Sequence, residues 1–322
     1  MRIETELTRM LDIRVPLMLA PMAGVSGGAL AAAVTGAGGL GIIGGGYGDR
    51  AWLQTEMAAA GNARIGIGFI AWSLEKKPEL LDLALDRAPE AIFLSFGDFA
   101  IFSDKVKRTA SKLIAQVQTV AQARQALDAG ADIIVAQGTE AGGHGGKRAT
   151  LPLVPAIVDI AGTVPVVAAG GIADGRGLAA ALMLGASGIL CGTAFFASHE
   201  ALTHPNAKTA ALGGSGDDTI RSSVIDIARS LPWPGTWNVR TLRNDFVERW
   251  AGDTNQLRDA AGTEGERYIQ AAAAGDMSVA ATIVGEGIDL VRTAQPAAKI
   301  VEEMERGAIG LISQAERMLV GR

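Results

Sequence analysis

A single histidine stands in a run of glycines, Gln137-Gly138-Thr139-Glu140-Ala141-Gly142-Gly143-His144-Gly145-Gly146. Backbone without side chains on both sides of an imidazole lets a planar ligand approach it, and an unperturbed pKa of about 6.5 suits proton transfer near neutrality. A solvated surface loop is the plain alternative. The apolar run Ile133 to Ala136 just upstream favours the chemical reading, because it places His144 at the end of a buried strand. Two further glycine turns, Ala168-Ala169-Gly170-Gly171-Ile172-Ala173-Asp174-Gly175 and Cys191-Gly192-Thr193-Ala194, also follow apolar runs. Glycine amides ahead of a helix start can hold a phosphate.

Other candidates carry less. Gly39-Leu40-Gly41-Ile42-Ile43-Gly44 satisfies GxGxxG, yet its middle is itself a strand, so the context of a dinucleotide turn is missing. Cys191 ends a buried strand with no acid or base near it in sequence and reads as a core residue. His199 and His204 lack the spacing of metal ligands, and no metal site is expected.

Eight strand candidates can position the glycine turns: Leu17 to Ala20, Leu40 to Ile43, Ile65 to Ile70, Ala91 to Ser95, Leu113 to Val117, Ile133 to Ala136, Val164 to Ala168 and Gly188 to Cys191. Helix-like stretches such as Pro78 to Arg87 and Gly175 to Leu184 separate them, and a last one runs from Ala297 to Leu319. Continuous apolar strands alternating with helices require a parallel sheet covered by helices, and a count of eight favours a closed TIM (β/α)8 barrel over an open doubly wound sheet. The three glycine segments then fall after strands six, seven and eight, at the face where such barrels build their sites.

The pattern changes over residues 197–285, where Pro232-Trp233-Pro234, Trp237 and Trp250 lie among amphipathic stretches rich in Arg, Asp and Glu. This reads as a helical lobe inserted between strand eight and helix eight and capping the active-site face, with residues 1–196 and 286–322 forming the barrel.

Composition agrees with a large core: 48% of the 322 residues are hydrophobic and only 20% charged, which excludes a disordered chain. The formal charge is 29 − 34 = −5, with no block of five like charges, so neither nucleic acid nor an acidic membrane is expected as a partner. Val15 to Gly48 carries no charge, but 11 glycines and Pro21 break it into short elements instead of a membrane span. Glu4, Glu6 and Asp12 stand where a secretory signal would be basic, and one cysteine cannot form an intramolecular disulfide, so a cytoplasmic location is expected.

Together, Ala20-Pro21-Met22-Ala23-Gly24-Val25-Ser26, Ala37-Gly38-Gly39-Leu40-Gly41, the Gly-Gly-His loop, Ala169 to Gly175, Gly275-Asp276 and Gly285-Glu286-Gly287 resemble the nitronate monooxygenase family, formerly called 2-nitropropane dioxygenases. The resemblance implies an FMN-containing TIM barrel that oxidises alkyl nitronates with O2 to a carbonyl compound and nitrite. Carried over, Pro21, Met22, Ala23 and Gly24 would lie against the flavin ring, with Gly142 and Gly143 beside it. Gln116 and Gln137 would reach the ring or the ribityl chain, and Phe69 would stand where relatives place a polar flavin contact. Gly170, Gly171, Gly192 and Thr193 would hold the phosphate. His144 would be the catalytic residue, meeting the substrate together with Met22 and Glu286. A flavin-dependent enoyl-acyl-carrier-protein reductase using NAD(P)H shares this barrel, FMN and a histidine in the same loop. A flavin- or phosphate-ligand-binding barrel without redox turnover is the third reading.

Overall fold

The structure, a computed structural model, describes residues 1–315; the expected end of the last helix, at 316–319, lies outside the described residues. Barrel strands are β1 (Leu17–Leu19), β2 (Ile42–Gly44), β3 (Gly66–Ile70), β4 (Ala91–Ser95), β5 (Lys112–Val117), β6 (Ile133–Gln137), β8 (Val166–Ala169) and β9 (Gly188–Cys191). Three more strands, β7 (Gly143–Gly145), β10 (Thr219–Ser222) and β11 (Asn238–Leu242), make a separate small sheet. The large sheet runs β1-β9-β8-β6-β5-β4-β3-β2, all parallel, and a parallel bridge between Met18 and Leu40 joins its two ends. It is a TIM-type (β/α)8 barrel.

Alternation along each strand divides the core in two, because successive side chains point to opposite faces. Met18, Ile42, Phe93, Ile114, Val135, Val167 and Leu190 fill the interior, and Leu7 and Leu11 of an N-terminal helix (Glu6–Leu11) pack into the same cluster. Thr5 starts that helix with a capping box, a short element that the sequence reading did not pick out. The larger cluster lies between strands and outer helices and includes Leu17, Leu19, Ile43, Ile67 and Phe69. Gly41 shows how closely the layers approach: a Cβ there would sit 1.8 Å from the carbonyl oxygen of Ala31 in the helix Gly28–Gly36. The GxGxxG stretch is therefore a strand packed on a helix.

Between β9 and the final helix (Ala297–Ala315) the chain has its own apolar cluster, built on Val224, Ile225, Phe246, Val247, Trp250 and Leu257. This segment is not purely helical. β10 and β11 pair antiparallel within it, and β11 pairs antiparallel with β7 of the glycine loop, His144 opposite Val239. Thr-Ile-Arg-Ser and Asn-Val-Arg-Thr-Leu carry β-branched residues but no clean alternation, because Arg221-Ser222 and Arg240-Thr241 are adjacent polar pairs.

Candidate active site

One cavity opens over the carboxyl ends of the barrel strands. Pro21, Met22 and Ala23 after β1, Gln116 of β5, Gln137 of β6, Gly142 to His144, Gly170 and Gly171 after β8, and Gly192 and Thr193 after β9 all line it. Three expected residues lie elsewhere. Phe69 points outward into the layer between strands and helices, and its neighbour Ile70 lines the cavity instead, since one step along a strand reverses the face. Gly24, with φ +69°, lines an adjoining groove that shares Ala23, Tyr47 and Arg229 with the cavity. Glu286 turns away to an ion pair with Arg240 (2.9 Å), leaving the lining to Gly287.

Glycine is required where backbones meet. At Gly142 a Cβ would lie 2.5 Å from the carbonyl carbon of Val284, and at Gly285 one would lie 2.4 Å from the Glu140 carbonyl oxygen. Gly170 and Gly171 have φ of +105° and +71°, a region that side chains disfavour. Beneath them Glu140 accepts from the Thr150 amide (3.0 Å) and hydroxyl (2.8 Å), capping the helix Thr150–Ala161 and fixing the turn.

The His144 loop is held by two guanidiniums, that of half-buried Arg221 and that of buried Arg240. Arg221 donates to the carbonyls of Thr139 (2.8 Å), Ala141 (2.9 Å), Gly143 (3.1 Å) and Asn238, and Arg240 donates to Thr139 (3.0 Å). Burial, with Arg240 nearby, brings the Arg221 guanidinium down to about 10. A relay of side chains fixes the loop from the other side: Trp237 Nε1 donates to Gln118, Gln118 to Gln137, and Gln137 Nε2 to the His144 carbonyl (3.0 Å). The Gln137 amide is thus largely engaged in the protein. The Gln116 amide, in a residue only 5% exposed, makes no hydrogen bond with any described residue and lines the cavity.

Sequence reading missed what surrounds the imidazole. His144 Nε2 lies 2.9 and 3.0 Å from the two carboxylate oxygens of Asp226, in the helix Val224–Ala228, and Trp233 stacks on the ring. Trp233 Nε1 donates to the Tyr47 hydroxyl (3.0 Å), and Phe96 meets both His144 and Trp233 edge to face. Burial pushes His144 below its ordinary 6.5 against the upward pull of Asp226, and Arg229 and Arg221 push the same way as burial. Cys191 is buried, which raises its thiol to about 12 and leaves it inert as a nucleophile. Among the described residues there is no His, Cys, Asp and Glu cluster that could hold a metal, and no helix long and apolar enough to cross a membrane.

A cavity above the carboxyl ends of a closed parallel barrel, walled by glycine turns and holding one buried imidazole, is the arrangement of a barrel enzyme. The profile of the nitronate monooxygenase family matches residues 4–66 and 78–307. Nitronate monooxygenase of Neurospora crassa is 33% identical over 341 aligned positions, covering 91% of this chain and 88% of that protein. Among solved structures, FabK from Thermotoga maritima superposes with a TM-score of 0.87 at 28% identity, covering 98% of this chain and 100% of the other. Nitroalkane oxidase from Streptomyces ansochromogenes gives 0.80 at 25%, covering 96% and 99%. The chain belongs to the nitronate monooxygenase family and is an oxidoreductase of that kind.

Proposed function

We propose that the cavity holds FMN and that the enzyme oxidises alkyl nitronates with O2 to a carbonyl compound and nitrite. The observation that carries this reading is the meeting, in one cavity, of a glycine-walled end (Gly170, Gly171, Gly192), the Gln116 amide, which has no partner among the described residues, and His144. These residues fit a flavin mononucleotide: backbone of Pro21 to Ala23 for the flat ring, Gln116 for a polar ring or ribityl atom, and glycine backbone with Thr193 for the phosphate. When bound, FMN would supply the one-electron chemistry that side chains lack.

The remaining work falls to this chain's own groups. His144 and Arg229 are basic groups of the lining that can face an anionic nitro group, and the aromatic wall of Phe96 and Trp233 limits water around it. We assign the segment 197–285 the role of a cap, because its Arg229, Trp233 and Ile283 line the cavity, its Asp226 meets His144 and its β11 pairs with the His144 strand. Small molecules, a nitronate and O2, are the partners that this cavity suits.

Phe93, Phe96, Phe196 and Ile283 give the lining apolar surface that suits an acyl chain. That favours, as a second reading, FMN-dependent reduction of enoyl-acyl-carrier-protein thioesters by NAD(P)H. Acid release of FMN from the purified protein, followed by measurement of nitrite formed from a simple alkyl nitronate, supports the first reading; FMN without nitrite, together with NADH oxidation dependent on an enoyl thioester, supports the second. Protein that neither carries nor takes up a flavin contradicts both.

A further inference from the structure

One ring nitrogen of His144 is engaged before any ligand arrives. The side chains of His144 and Asp226 are 9% and 5% exposed, and within hydrogen-bond distance the Asp226 carboxylate meets His144 alone among the described residues. Stability explains this pair poorly, since a buried carboxylate is costly to desolvate and an apolar or amide side chain would serve packing better. A carboxylate accepts and does not donate, so it holds a proton on Nε2 and leaves the lone pair of the neutral ring on Nδ1. Nδ1 has no partner among the described residues.

We propose that Asp226 is the positioning residue of the site: it fixes the Nε2–H tautomer of His144 and offers Nδ1 as a base toward the α-carbon of a neutral nitroalkane. The assignment rests on the nitronate reading for its substrate class and extends it from the preformed anion to its carbon acid. In the step, the Cα–H bond breaks, the proton passes to Nδ1, and the electron pair enters the nitro group, leaving a nitronate. The imidazolium then carries Nε2–H toward Asp226 and Nδ1–H toward a nitronate oxygen, where the carbon acid's proton is held. Among the described residues, Asp226 supplies the one carboxylate directly on the ring; Arg229, one residue beyond the same helix, and Arg221 of β10 oppose the cation, and Tyr47 meets Trp233, which stacks on the ring. Without Asp226 no carboxylate among the described residues would face the imidazolium, and the ring would be a weaker base.

The test uses the purified protein labelled with 15N-histidine, the His144 signals being identified by their loss in His144→Gln. The wild type should show the neutral ring protonated at Nε2. Asp226→Asn keeps an acceptor but removes the charge, so it should keep the tautomer and titrate at a lower pH; Asp226→Leu should give mixed tautomers. With neutral nitroalkane near pH 7, Asp226→Asn should lose ~10²-fold in kcat/KM and far less with preformed nitronate. A wild-type ring protonated at Nδ1 overturns the assignment, as does an unchanged His144 titration in Asp226→Asn or an equal loss on both substrates. The wild-type spectrum decides the tautomer even if a variant fails to fold. If neither substrate is oxidised while the tautomer and the titration shift are as expected, the substrate reading falls and the positioning role stands.

Discussion

The Trp233 indole lies face to face on the His144 imidazole, the ring centroids 3.4 Å apart and the planes 7° from parallel. One face of the histidine is therefore closed, and a ligand must come to its edge or its other face. Trp233 also contributes to the burial that holds the imidazole pKa down. Trp233→Ala should raise the His144 pKa, seen by titration of its 15N signals, and should raise KM more than it lowers kcat, because the substrate loses a wall while the base stays. An unchanged titration would show that Trp233 does not shield the ring.

Acid stability should carry the signature of the buried histidine. Its folded pKa lies below the ordinary 6.5, so between the two values the unfolded chain binds the extra proton and stability falls as pH falls. The slope is at most about 1.4 kcal/mol per pH unit for one group. Denaturant titrations from pH 7 downward should show a steeper loss for the wild type than for His144→Asn; parallel curves would mean that the histidine is not held neutral.

Gly170→Ala places a Cβ 2.8 Å from the Thr150 hydroxyl and 2.9 Å from the Gly138 carbonyl, at φ +105°. The turn must distort, at a cost of about 1–3 kcal/mol. The purified variant should carry less flavin per chain than the wild type, and adding FMN should restore only part of it. Full occupancy would remove the turn from the phosphate site.

Arg221→Lys tests the clamp on the glycine loop. Lysine has one ammonium in place of a planar fork and cannot reach four carbonyls spread over Thr139, Ala141, Gly143 and Asn238. Amide exchange at Gly142 to Gly145 should accelerate ~10-fold or more, as expected for ~1.4 kcal/mol or more of lost protection. Unchanged exchange would assign the holding role to Arg240 and the Gln137 relay.

The barrel was legible because its strands are buried on both faces and read as short apolar runs, most of them followed by a glycine turn or a polar cap such as Asp174. Which glycine turns meet was legible too, since parallel strands deliver all their carboxyl ends to one side. Register was not: Phe69 and Ile70 are both apolar, and nothing in Gly-Ile-Gly-Phe-Ile says which of the two faces inward. Asp226 is 82 residues from His144 in a stretch with other acids, and only the folded segment 197–285 brings them together. β10 and β11 were not legible because Arg221-Ser222 and Arg240-Thr241 break the period-two alternation that marks a half-buried strand.

Anaerobic mixing of the flavin-loaded enzyme with propionate 3-nitronate or a simple alkyl nitronate, followed in visible absorbance, tests the central claim most directly. The account predicts rapid bleaching or a one-electron-reduced flavin spectrum with the nitronate and far slower reduction by NADH or NADPH. Rapid reduction by NADH, reoxidation by an enoyl thioester and no response to any nitronate would contradict it.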